Sequence, residues 1–379
     1  MFTLTADDQA ILDTVQQFAH EEIEPYALDW DQRKHFPVDV LRRAATLGMG
    51  AICVREDVGG SGLTRLDSVR IFEHLAHGCP TIAAYVSIHN MVASMIDTYG
   101  TEAQRRDWLP PLATMDSLAS YCLTEPNSGS DAAALTTSAR RDGDELVING
   151  VKQFISGAGV SSTYVVMART GGAGPHGISA VLVPGSAAGL SFGANETKMG
   201  WNAMPTRQVM FDNVRVPATN ILGGENNGFR IAMNGLNGGR LNIAACSLGG
   251  AQAALDKAVH YVNERSAFGQ KLSQRETVQS TIAGMRIDLE ASRSILWRAA
   301  EALDDDSKDK IALCAMAKSF VTEAGFRVAD EALQLHGGYG YLADYGIEKI
   351  VRDLRVHKIL EGTNEIMRMV VARSTLNVT

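Results

Sequence analysis

Apolar residues recur at three- and four-residue spacing over 251–264, 278–303 and 311–335. That is the spacing of helices that each bury one face. Asp304-Asp305-Asp306-Ser307-Lys308-Asp309 interrupts the second and third runs, so antiparallel helices of a bundle with short connections are expected. Proline placement agrees. All ten prolines lie at or before Pro217 and the remaining 162 residues hold none, where an interior proline would cost a helix about 3 kcal/mol. The first 118 residues carry helical periodicity over 66–75 and 82–99. Thr5 before Ala6-Asp7-Asp8 supplies an N-cap for a helix running toward Ile23. Gly59-Gly60-Ser61-Gly62 reads as a loop, and Pro110-Pro111 reads as the end of this helical section.

The middle of the chain changes period. Short strand-like runs begin at Leu135, Glu145, Val151, Tyr164, Ile178 and Gln208. Asp142-Gly143 and Asn149-Gly150 fall between such runs, and both dipeptides predict hairpin turns. The expected class is α+β: an N-terminal all-α domain over 1–118, a middle β-barrel or sheet domain over 119–218, and a C-terminal four-helix bundle over 219–379.

Composition narrows the partners. The 379 residues are 45% hydrophobic and 21% charged, with a formal net charge of −8. Nucleic acid and anionic membranes both call for a basic face, so neither is expected as a partner. No apolar run reaches the length of a membrane span. The first residues lack the basic and apolar regions of a secretory signal and the arginines of a transit peptide, so a bacterial cytoplasm is expected, or the mitochondrial matrix for a processed eukaryotic chain. Five widely spaced cysteines predict neither disulfides nor a zinc site, and the histidines show no metal-ligand spacing.

Several segments could carry chemistry, and each has a plain alternative. Gln334-Leu335-His336-Gly337-Gly338 offers a flexible backbone cradle, and Ile359-Leu360-Glu361-Gly362-Thr363-Asn364-Glu365 offers an isolated carboxylate beside two apolar residues. Desolvation by Ile359 and Leu360 would raise the Glu361 pKa and suit it to act as a base. An acidic residue at a helix start explains it equally. Tyr121-Cys122-Leu123-Thr124-Glu125-Pro126-Asn127-Ser128-Gly129-Ser130-Asp131 could hold a phosphate on exposed N–H groups, or be a polar turn ending a strand. It lacks the lysine of a Walker loop and the context of a dinucleotide fingerprint. Phe154-Ile155-Ser156-Gly157 could stack a ring system or be an ordinary core aromatic before a turn. Asn237-Gly238-Gly239-Arg240 puts two glycines in a helical run, explained by close packing or by Arg240 facing an anionic ligand. Arg265 suits a helix C-terminus, with Gly269 as the stop, or a phosphate contact. Met285, Met316 and Met367 read as packing residues.

Taken together these stretches resemble the acyl-CoA dehydrogenase family of flavoproteins. One signature is the run from Leu123 to Asp131. The other is the run from Gln334 through Asp344, Lys349 and Asp353. Their order and spacing match over essentially the whole chain. Within the family, Phe154-Ile155-Ser156-Gly157-Ala158-Gly159, the segment from Gly200 to Arg207, Gly235 to Arg240 and Arg355 to Arg368 are similar to members that oxidise isobutyryl-CoA in valine breakdown.

The resemblance implies a mechanism and a site. Glu361 would remove the α-proton of a short branched-chain acyl-CoA, and FAD would accept the β-hydrogen. Tyr121, Leu123, Thr124, Gly129, Ser130, Phe154, Ile155 and Ser156 would embrace the flavin and its pyrophosphate. Arg265, Phe268, Gln334, Leu335, Gly337 and Gly338 would reach FAD across a subunit interface. Thr363, Asn364 and Glu365 would complete the site beside the base. Ser130, Arg240, Gly362 and Arg373 would contact the substrate. Where relatives carry Gln, this chain has Glu276, which accepts from a ribose hydroxyl but cannot donate. A homotetramer is implied, with an electron-transfer flavoprotein as acceptor. The alternatives are a short-chain or 2-methylbutyryl-CoA dehydrogenase, or an acyl-CoA oxidase or flavin monooxygenase of the same fold. A monooxygenase has no need of the base. A flavin-retaining binding protein without turnover is the reading from outside enzymology.

Overall fold

The computed structural model describes residues 4–378. Six helices open the chain: α1 (Ala6–Phe18), α2 (Ala27–Arg33), α3 (Val38–Thr46), α4 (Arg65–Gly78), α5 (Pro80–Tyr99) and α6 (Glu102–Ala113). Thr5 caps α1 as expected: its hydroxyl accepts from the Asp8 N–H while the Asp8 carboxylate accepts from the Thr5 N–H. The helical path continues toward Ile23 through a wider turn at Ala19–Ile23. The Pro110-Pro111 pair does not stop α6, which runs on to Ala113. The missing N–H groups fall in its last turn, where little helix remains to be disrupted.

The middle is an eight-stranded mixed sheet. Its strands are β1 (Ala119–Cys122), β2 (Ser138–Asp142), β3 (Glu145–Ser156), β4 (Thr163–Arg169), β5 (Ile178–Pro184), β6 (Leu190–Phe192), β7 (Thr206–Pro217) and β8 (Ile221–Leu222). The order is β6-β7-β3-β2-β4-β5-β8, with β1 parallel to β4. Asp142 pairs with Glu145 around the expected hairpin. Asn149-Gly150 makes no turn. It lies inside β3, where the register against β7 shifts between Ile148 and Gly150. Gly150 has φ +148°, and a Cβ there would lie 2.7 Å from the Thr137 Cα. The dipeptide serves a bulge and a close backbone approach, the other use of glycine in a strand.

The C-terminal part holds α7 (Gly228–Glu264), α8 (Glu276–Asp304), α9 (Lys310–His336), α10 (Ile347–Arg355) and α11 (Asn364–Leu376). The 37-residue α7 packs against α4 and α5 on one side and α8 and α9 on the other. It therefore joins the two helical domains through one hydrophobic core. A two-stranded hairpin, β9 (Ser266–Ala267) and β10 (Gln270–Lys271), separates α7 from α8. Gly269 belongs to the tip of that hairpin and not to a helix stop. Phe268 and Gly269 both have positive φ, as such two-residue turns require. Met285 and Met367 are buried between helices and Met316 is partly so. No helix among the described residues is long and apolar enough to cross a membrane.

A buried carboxylate ties the three parts together. Asp353 on α10 accepts from Lys349 Nζ at 2.6 Å, from the Thr81 hydroxyl of α5 at 2.8 Å and from the Trp201 N–H at 2.7 Å. The second sequence signature thus contains the residues that lock the domains in register.

Candidate active site

Glu361 sits in the turn between α10 and α11, with φ +54°. Side chains seldom adopt this left-handed region, and the surroundings must hold it there. Its main-chain carbonyl accepts from Arg240 Nε at 3.1 Å. The next carbonyl, of Gly362, accepts from Lys318 Nζ at 2.7 Å. Lys318 also donates to Asn364 Oδ1 at 2.9 Å, and Asn364 in turn donates to Thr322 and Glu323. Thr363 caps α11.

The Glu361 carboxylate points inward against α7. Its Oε2 is buried and takes no hydrogen bond. A Cβ on Gly239 would stand 2.4 Å from that oxygen, and one on Gly238 would stand 3.1 Å from the Arg65 guanidinium. Gly239 of α7 is therefore the socket of the carboxylate, while Gly238 makes room for the Arg65 guanidinium. Burial pushes the Glu361 carboxyl up to about 7, against the pull of the Lys318 and Arg240 cations. Ile359 contributes little to this, being 51% exposed. Leu360 is partly buried against the helical core, and the wall nearest the carboxylate is Gly239 of α7, 122 residues away along the chain. Tyr121 faces the same space, since Glu361 and Arg240 both act on its hydroxyl, which is buried without a hydrogen-bond partner.

β1 is carried there by α5. The Tyr85 hydroxyl donates to the Ala119 carbonyl, and His89 Nδ1 accepts from the Ala119 N–H at 3.2 Å. Burial holds His89 down to about 4, which keeps that nitrogen an acceptor. Downstream, Glu125 organises the loop after β1. It accepts from Lys152 Nζ at 2.8 Å and from the Thr136 and Thr137 N–H groups. Burial alone would raise its pKa, but the Lys152 ammonium and these donors hold it at about 2. Lys152 also donates to the Leu123 carbonyl, and the Gln153 N–H donates to the Thr124 carbonyl. The loop at 123–130 and the end of β3 are thus fixed side by side. Gly129 and Ser130 are exposed there. Phe154, at φ +59°, turns a 63% exposed ring outward. Ile155 is buried in the sheet core, so it can meet a ligand only through its main chain. The Ser156 carbonyl accepts from the Ser120 hydroxyl.

The remaining predicted residues lie elsewhere. Arg265, Gln334, Leu335, Gly337 and Gly338 line a separate pocket of about 470 Å³ at the far end of α7 and α9. Phe268 is 95% exposed on the neighbouring hairpin, and Glu276 is exposed at the start of α8. Lys318 and Gln334 are sixteen residues apart on α9, about 24 Å along the axis. Glu365 and Arg373 are exposed on α11. One chain therefore presents two clusters that it does not bring together. Sequence reasoning missed Lys318. The signal was a lysine on the buried α9 face, in helical step with Cys314 and Thr322.

Three family models match in sequence: the acyl-CoA dehydrogenase N-terminal domain over residues 5–116, the middle domain over 120–214 and the C-terminal domain over 226–376. The chain belongs to the acyl-CoA dehydrogenase family. It is an oxidoreductase. A mitochondrial isobutyryl-CoA dehydrogenase of Bos taurus is 53% identical over 359 residues, covering 95% of this chain and 86% of that one. The butyryl-CoA dehydrogenase structure from Megasphaera elsdenii superposes with a TM-score of 0.96 at 34% identity, covering 99% and 100% of the two chains. A Mycobacterium smegmatis glutaryl-CoA dehydrogenase solved in complex with FADH2 superposes at 0.93 with 26% identity, covering 99% and 95%.

Proposed function

We propose that this acyl-CoA dehydrogenase converts isobutyryl-CoA, a short branched-chain thioester, to methacrylyl-CoA, with FAD as cofactor and a place in valine breakdown. The observation that carries the reading is the Glu361 carboxyl, raised to about 7, with its Oε2 buried, unpartnered and seated on Gly239. The residues present fit a flavin dinucleotide. An exposed aromatic ring at Phe154, an open backbone at Gly129 and Ser130, and the buried, unpartnered Tyr121 hydroxyl lie on the β-domain side of the base.

Bound FAD would supply the hydride acceptor. The chain's own residues would do the rest. Glu361 would take the α-proton. A thioester α-proton is weakly acidic, so its removal requires stabilisation of the charge that develops on the carbonyl oxygen. The Glu361 N–H has no protein acceptor among the described residues and is free to donate there. Arg240, held by Asn237 and bonded to the Glu361 carbonyl, would fix the base relative to the acyl group. Thr363, Asn364 and Glu365 would border the flavin, and Gly362, Ser130 and Arg373 the thioester and its CoA portion. Leu123, Thr124, Ile155 and Ser156 would act through their main chain or short side chains.

Arg265, Phe268, Gln334, Leu335, Gly337 and Gly338 would serve the flavin of a neighbouring subunit, because they lie too far from Glu361 in their own chain. Ile287, Tyr341 and Leu376 are 67%, 83% and 69% exposed on the helical bundle, in keeping with a homotetramer. An electron-transfer flavoprotein would reoxidise the enzyme.

Anaerobic titration with isobutyryl-CoA, butyryl-CoA and 2-methylbutyryl-CoA tests the reading. Preferential bleaching of the flavin by isobutyryl-CoA is expected. Bleaching by another thioester alone would remove the substrate assignment. Bleaching by none would leave a different acyl substrate or a flavoprotein that does not dehydrogenate, and longer-chain thioesters would separate the two.

A further inference from the structure

Lys318 is fully buried on α9. Its ammonium has two hydrogen-bond acceptors, the Gly362 carbonyl and Asn364 Oδ1, and both are neutral. No carboxylate of the described residues lies within ion-pair distance of it, whereas buried Lys152 and Lys349 each contact one. A buried cation without a contact partner is costly. It persists where its charge does something at a distance. The first acceptor belongs to the turn of Glu361 (φ +54°) and Gly362 (φ +93°), two successive left-handed residues, and the second is the side chain of Asn364, which opens α11 directly after that turn. We propose that Lys318 is a positioning residue for the reaction: its ammonium clamps this turn from beneath, and its uncompensated charge acts on the Glu361 carboxylate through the interior. The proposal rests on Glu361 being the base.

The electrostatics agree. Burial raises Glu361, and Lys318 is the largest opposing influence, ahead of Arg240. Burial also lowers Lys318 to about 8, with Glu361 the main anion working against that. The groups around the pair are accounted for. Arg240 and Cys246 face Glu361 from α7, and Tyr121 faces it from β1. Glu365 and Glu323 act on Lys318 from α11 and α9. Glu323 is itself engaged by Lys358 at 2.6 Å. His357 is held down to about 3 by burial and by Lys318, so it stays neutral. Cys314 lies near Arg240 and is raised by burial. Among the described residues no other cation donates a hydrogen bond to the Gly362 carbonyl.

The decisive variants are Lys318→Met, which removes charge and clamp, and Lys318→Gln, which keeps a donor and removes the charge. The first readout is the acid limb of flavin reduction by the thioester between pH 5.5 and 9. Its midpoint should rise by about one to two pH units in both variants. Lys318→Arg should restore it toward the parent value. The second readout needs no turnover. The unfolding midpoints of each protein and of its Glu361→Gln derivative are compared across the same pH range. The pH at which that stabilisation levels off should rise by the same amount, because its onset is set by the unfolded carboxyl and its plateau by the folded one. Rates that fall equally at every pH, or a levelling-off pH that does not move in Lys318→Gln, would overturn the proposal. Because the unfolding comparison reads the Lys318–Glu361 coupling alone, it stands or falls separately from the choice of substrate.

Discussion

Gly239→Ala adds one methyl group to the middle of α7. The helix itself tolerates it, since alanine favours a helix over glycine by about 1 kcal/mol. The methyl carbon would sit 2.4 Å from Glu361 Oε2, 3.0 Å from its Cδ and 3.2 Å from its Oε1. Ordinary contact begins near 3.5 Å, so the carboxylate must retreat by about 1 Å. A displacement of that size in a reacting group costs on the order of 100-fold in rate. The expected result is a flavin-reduction rate about 100-fold below the parent, with normal FAD content and an unfolding midpoint equal to or above the parent's. Stopped-flow reduction under anaerobic conditions measures the rate, and differential scanning fluorimetry measures the midpoint. Gly238→Ala is the internal control. Its methyl would meet the tip of the flexible Arg65 side chain at 3.1 Å, so its rate should change only a few-fold. A Gly239→Ala enzyme within twofold of the parent rate would refute the claim that α7 is the socket of the base.

Three further outcomes follow from the same geometry. Glu361→Gln should abolish reduction and change stability in a pH-dependent way. The folded carboxyl stands near 7 against an ordinary 4.5, so the folded state binds more protons between those values and the parent loses stability as pH rises through them. The variant escapes that loss, gaining up to about 3 kcal/mol at pH 8 and nothing at pH 4, and equal urea midpoints at pH 8 would contradict it. Asp353→Ala would strand the Lys349 ammonium and free the Trp201 N–H and Thr81 hydroxyl. A loss of about 3–5 kcal/mol is expected in urea unfolding, and a loss below 1 kcal/mol would mean the domain junction is held elsewhere. Gly150→Ala places a methyl against Thr137 at φ +148° and should destabilise the sheet by more than about 1 kcal/mol, whereas Gly143→Ala, with open space at the hairpin tip, should cost less.

The local code of this chain was readable in order. Periodicity and the absence of proline located the long helices of the C-terminal half, Thr5 announced its N-cap, and Asp142-Gly143 announced its hairpin. These features depend on contacts within a few residues, so they are written where they act. The signature around Glu361 was legible as a pattern too, but its physical basis was not. Of the two neighbours expected to desolvate it, Ile359 faces outward and Leu360 packs partly against the core, while the wall at the carboxylate itself is Gly239, 122 residues away. Asn149-Gly150 carried a turn signal that pairing with β7 overrode, since strand register is decided by the partner. Lys152, Asp353 and Lys318 are unremarkable letters until folding buries them. Each then acquires an energy from its distant partners, through loss of water and through Coulomb fields that sequence spacing does not encode. The division of the predicted site into two clusters about 24 Å apart along α9 is likewise a property of helix length and direction in the folded chain.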